Sequence, residues 1–111
     1  MGAVRYWTPG RAVELAEAMK SLAFRENGGW FFGHQGIMPR LTTLLSQHES
    51  LKDADAGQGL NLLVFTGVIE PGKTGRKKTN YRRAFCPDKA SQITEDDITR
   101  FMISRRAGRR S

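Results

Sequence analysis

The chain has 111 residues, of which 39% are hydrophobic and 26% charged, and its formal net charge is +7. That length and balance fit one soluble domain with one modest core and exclude wholesale disorder. No apolar run approaches the ~20 residues that span a bilayer, and the single cysteine, Cys86, excludes an internal disulfide and a cysteine zinc site.

The opening MGAVRYWTPG lacks the apolar centre of a secretory signal, and Tyr6 stands where a myristoylation signal needs Ser or Thr. A cytoplasmic protein with no membrane partner is expected. A first helix is predicted from Thr8, a capping residue, with Pro9 at the first helical position. Ala12, Leu15, Ala16, Met19, Leu22 and Ala23 form its apolar stripe. Asn27-Gly28-Gly29 is expected to stop it, since Asn and Gly tolerate left-handed backbone.

WFFGHQG then reads as a short strand or buried turn, with Trp30, Phe31 and Phe32 as core aromatics rather than stacking surfaces. IMPRLTTLLSQHESLK is predicted as a second helix with Pro39 near its start and Ile37, Leu41, Leu44, Leu45, His48 and Leu51 on its apolar face. DADAGQG reads as a loop. LNLLVFTGVIE is expected as a strand, because it is rich in β-branched and aromatic residues. Its consecutive Leu62, Leu63, Val64 and Phe65 point to a strand covered on both faces.

PGKTGRKK reads as a turn, and TNYRRAFC as a returning strand. In it Tyr81, Arg83 and Phe85 face one way, and Arg82, Ala84 and Cys86 the other. Cys86 is expected to be a small apolar strand residue, and PDKASQ a loop. A last helix is predicted over ITEDDITRFMISRR, with Thr94 and Asp97 as a variant capping box and Ile98, Phe101 and Met102 as its stripe. Glu95, Asp96 and Asp97 suit its positive end and Arg105 and Arg106 its negative end. The expected organisation is one domain over 1–106 and a basic tail over 107–111.

GVIEPGKT, residues 67–74, matches the G-x-x-x-x-G-K-T loop that cradles nucleotide phosphates. That loop needs a strand before it and a helix after it. GRKKTNYRRAF has no helical stripe, and no later apolar strand ends in a metal-holding Asp. Pro71-Gly72 also suits the centre of a type II turn. The match therefore reads as a hairpin turn. His34 and His48 have no acid or cysteine at ligand spacing, and no catalytic set stands out. No enzymatic activity, cofactor or metal is expected.

The charge is uneven. Residues 1–72 carry six Lys/Arg against seven Asp/Glu, and residues 73–111 carry twelve against four. Lys73, Arg76, Lys77, Lys78, Arg82 and Arg83 fall in one stretch without an acid. Bracketed by two strands, they form a basic β-hairpin, and Arg105 and Arg106 supply a second patch. Solvent alone can screen such a cluster. A phosphate backbone neutralises it better and releases counterions, and a β-ribbon has the width to enter a DNA groove. Double-stranded DNA is the expected partner, in a regulatory or architectural role. RNA or an acidic protein bound by a small adaptor are the alternatives, and the size is compatible with a homodimer. The sequence offers no array of exposed aromatics for stacking single strands.

The expected fold class is α+β, in the order helix–helix–strand–basic hairpin–strand–helix. This order resembles a winged helix, whose wing the hairpin would be. It is also similar to the layout of bacterial histone-like architectural proteins, whose basic β-arms enter the minor groove. Both likenesses concern element order only.

Overall fold

In the computed structural model the described residues are 6–33, 37–70 and 82–109, with only the backbone described for Arg82 and residues 106–109. The first helix, α1, spans Pro9–Met19. The Thr8 hydroxyl accepts from the Arg11 N–H at 3.1 Å and satisfies a backbone donor that the first turn leaves open. Ala12, Leu15, Ala16 and Met19 are buried, as their spacing requires.

The helix does not reach Asn27. A 3-10 turn, Lys20–Leu22, closes it, and Ala23 is already extended at φ −102° and ψ 166°. β1 (Phe24–Glu26) and β2 (Gly29–Gly33) follow as an antiparallel hairpin. Asn27 and Gly28 have φ of 53° and 82° and make its turn. Two successive positive-φ residues match the right-handed twist of paired strands, so Asn-Gly reverses a hairpin here instead of ending a helix.

The second helix, α2, spans Ile37–Gln47 and buries Leu41 and Leu45. Leu51 is buried in the turns beyond it, and His48 is half-buried with Nδ1 3.4 Å from the Ser50 hydroxyl.

The strand expected over LNLLVFTGVIE is mostly a helix. α3 spans Ala56–Phe65, and the Asp55 carboxylate caps it by accepting from the Gln58 N–H at 3.1 Å. The expected DADAGQG loop thus holds the start of a helix. Gly59, Leu60, Leu62 and Leu63 are buried while Asn61 and Phe65 are exposed. A helix with most of its girth in the core needs consecutive apolar residues, just as a doubly covered strand does, so composition did not separate the two.

Thr66 and Gly67, the latter at φ 85°, turn the chain. Only residues 68–70 of the expected strand lie against the sheet. β3 (Arg82–Phe85) pairs antiparallel with β2, setting Trp30 opposite Phe85, Phe31 opposite Ala84, Phe32 opposite Arg83 and Gly33 opposite Arg82. On its other side Ile69 bridges Phe85. The strand order is β1-β2-β3 with residues 68–70 beyond β3.

Cys86, expected as an apolar strand residue, is exposed just past β3. PDKASQ is a 3-10 helix rather than an irregular loop, and it packs along α1 with Pro87 and Ala90 buried. The final helix, α4, spans Glu95–Arg109, so its backbone stays helical into the segment expected as a tail. Its capping box forms: the Asp97 N–H donates to the Thr94 hydroxyl at 3.2 Å, and the Thr94 N–H donates to the Asp97 carboxylate at 3.0 Å.

The protein is an α+β domain. One face of the sheet, carrying Phe32, Phe85 and Ile69, closes a core that also holds Trp7, Leu15, Leu41, Leu62, Leu63 and Ile98. Among the described residues no helix is long and apolar enough to cross a membrane.

Candidate nucleic-acid interface

Six of the candidate cations lie between residues 73 and 83. Lys73, Arg76, Lys77 and Lys78 lie outside the described residues, as does the Arg82 side chain. The structure does describe the two stems that flank them. The Glu70 N–H donates to the Ala84 carbonyl at 3.0 Å, and the Cys86 N–H donates to the Val68 carbonyl at 2.7 Å. Ile69 and Phe85, which these bonds bring together, are 0% and 2% exposed. The described residues on either side of 71–81 are therefore hydrogen-bonded neighbours, and both stems are rooted in core residues.

The match to a phosphate loop looks different in this setting. Its first residue, Gly67, follows helix α3 rather than a strand, and residues 68–70 form a sheet edge. Most of the strand expected to feed the loop is helix α3, and only residues 68–70 pair with the sheet.

Arg83 is half-buried and shares the face of Phe32 and Phe85, the side on which alternation along TNYRRAFC had placed it. Arg105 lies elsewhere, at the junction of α3 and α4. Its guanidinium sits 5.7 Å from the Phe101 ring centre, and Phe101 in turn lies 5.6 Å from Phe65. The Arg106 side chain lies outside the described residues. Arg83 and Arg105 thus stand on different elements, β3 and α4.

Other cations are occupied locally. Arg100 bonds Asp96 at 2.6 Å, and that hydrogen bond, reinforced by the carboxylate charge, raises its pKa above the ordinary arginine value. Lys20 pairs with Glu17 at 3.2 Å and Lys52 with Glu49 at 3.4 Å. Exposed pairs of this kind contribute little to stability, but they do offset the cations. Among the described residues no group of three His, Cys, Asp or Glu is placed to hold a metal ion.

The sequence reading missed one feature beside this interface. Phe24 sits opposite Phe31 in the β1–β2 register, with ring centres 6.0 Å apart. Both lie on the face of the sheet away from Phe32 and Phe85. Phe31 was expected in the core with its neighbours, yet only Trp30 and Phe32 point that way. Trp30 is further covered by the Arg25 guanidinium, 5.0 Å from its ring centre. Assigning Phe24 to the first helix hid the pair. The available signal was Asn-Gly between FRE and GWFF, a strong short-range hairpin mark.

The chain matches no protein-family model, no curated protein and no solved structure.

Proposed function

We propose that the protein binds double-stranded DNA through the basic 73–83 segment, in a regulatory or architectural role. The observation that carries this reading is an acid-free run of six cations whose flanking stems are bonded to each other and rooted in the core. Crowded like charges repel, and a polyanion relieves that repulsion while releasing counterions. A rigid root reduces the ordering cost of presenting such a segment to a ligand.

The layout supports a winged-helix reading over a histone-like one. Counting from the N-terminus, a helix is followed by two strands, two helices, a short strand, the basic segment and a returning strand. That returning strand, β3, lies between β2 and residues 68–70. The basic segment comes, in chain order, where a winged helix has its wing. α4 and the extra strand β1 are additions to that plan.

The direct test is Lys77→Glu combined with Arg82→Glu. Two charges change sign on the proposed contact, a swing of four units, so duplex affinity at ~50 mM salt is expected to fall by a hundredfold or more. Fluorescence anisotropy with a labelled duplex measures it. Unchanged affinity would contradict the assignment and favour an acidic protein as the partner.

A further inference from the structure

The outer face of α2 differs from those of the other helices. α1 exposes Glu14 and Glu17, and α4 exposes Glu95 and Asp96. α3 turns most of its girth to the core, and its exposed residues are Asn61 and Phe65. α2 buries Leu41 and Leu45 and exposes Arg40, Thr42, Thr43, Ser46 and Gln47. The sequence holds no acid between Glu26 and Glu49. Solvated helix faces elsewhere carry both signs of charge, paired as Glu17 with Lys20 and Asp96 with Arg100. Among the described residues no acid pairs with Arg40.

α2 is also a ridge. Successive residues turn by about 100°, which puts Pro39, Thr43 and Ser46 on the side away from Leu41 and Leu45. A hollow of about 390 Å³ runs along one shoulder, lined by Arg40, Thr43 and Gln47 with Leu22 across from them. A second, of about 300 Å³, runs along the other shoulder, lined by Thr42 and Ser46 with Lys52 and Ala54 beyond. The shoulder bearing Arg40 is the one toward the sheet. Arg40 and Gly33 border one small hollow, and Gly33 pairs with Arg82 of β3.

We infer that α2 enters the major groove of DNA and reads base edges through Arg40, Thr43 and Gln47. The inference rests on the DNA-binding reading and adds sequence preference to it. The major groove is wide enough for one α-helix, and the two hollows leave room for its walls. The three residues are spaced i, i+3 and i+7, so they share one stripe. Their chemistry suits base edges. Arginine matches O6 and N7 of guanine, glutamine matches N6 and N7 of adenine, and the threonine methyl packs on that of thymine. A carboxylate here would be repelled by phosphates on both sides of the groove, and none is present. α3 lacks such a stripe, since its outward positions are few and one of them is Phe65.

The test enriches duplexes from a random-sequence pool on the native full chain, then compares the enriched duplex with its scrambled version by fluorescence anisotropy. The native protein is expected to enrich one sequence and to prefer it. Arg40→Ala and Gln47→Ala are each expected to weaken the enriched duplex by about 5- to 150-fold and to leave the scrambled one within about threefold. Lys77→Glu with Arg82→Glu is expected to weaken both duplexes alike. A urea midpoint close to native shows that the α2 variants are folded. No enriched sequence, a preference that survives both α2 substitutions, or equal losses on both duplexes would overturn base reading by α2 while leaving the basic contact standing. No binding to any duplex would overturn both readings.

Discussion

Phe85→Ala is expected to lower the unfolding free energy by about 3–5 kcal/mol, the usual loss when a buried phenylalanine is truncated in a core. Phe85 is 2% exposed, and its ring lies 4.7 Å from that of Phe32. It is also the residue at which three stretches of backbone meet, with Trp30 paired on one side and Ile69 on the other. Alanine would open a cavity under the strand that carries the basic segment back into the fold. Domains of this size are stable by only about 5–15 kcal/mol, so a large part of the stability would go. Urea denaturation measures the change as a lower midpoint with an unaltered slope. A loss under about 1 kcal/mol would mean that the ring does not sit in the core. Phe85→Leu, which keeps most of the volume, should recover much of the loss.

Gly59 gives the second large effect, and its sign separates two causes. Helix propensity alone makes Gly59→Ala stabilising by about 1 kcal/mol. Packing opposes it. A Cβ at position 59 would lie 2.8 Å from Trp7 Cζ2 and 3.0 Å from Leu15 Cδ2. Neither neighbour has room to move, since Trp7 is 1% exposed and Leu15 is fully buried. Overpacking of this kind costs about 1–3 kcal/mol, so Gly59→Ala is expected to destabilise on balance. Gly59→Val adds two further methyl groups and should reach the upper end, about 3 kcal/mol. Thermal unfolding of both variants provides the check. A higher melting temperature for Gly59→Ala would show that α3 does not press on Trp7.

Gly59 also shows where the sequence was hard to read. Its closest contact, Trp7, is 52 positions away, and nothing local records that proximity. Signals that depend on a few neighbouring residues were legible. Thr8 with Pro9 marks the start of α1, Thr94 with Asp97 marks that of α4, and the stripe from Ala12 to Met19 marks the buried face between. The basic segment was legible from its acid-free run of cations, and the returning strand from RRAF, which is β3. The segment from Ala56 to Ile69 was not legible, because it holds a helix and a short sheet edge within one apolar run. Gly57 and Gly59 weaken the helical signal there, and the cap at Asp55 was hidden in a run that looks like a loop. The Phe24–Phe31 pair was lost because a helical stripe that seemed to continue through Leu22 and Ala23 drew Phe24 into the helix.

The DNA-binding account rests on charge, and salt tests charge most directly. A protein that neutralises six or more phosphates releases their counterions, and its affinity falls steeply as added salt removes that entropy gain. The decisive measurement is the dissociation constant of the native protein for a random duplex between ~50 and ~200 mM salt. The account predicts a loss of roughly a thousandfold across that range. Weak binding at low salt, or affinity that stays flat as salt rises, would contradict it.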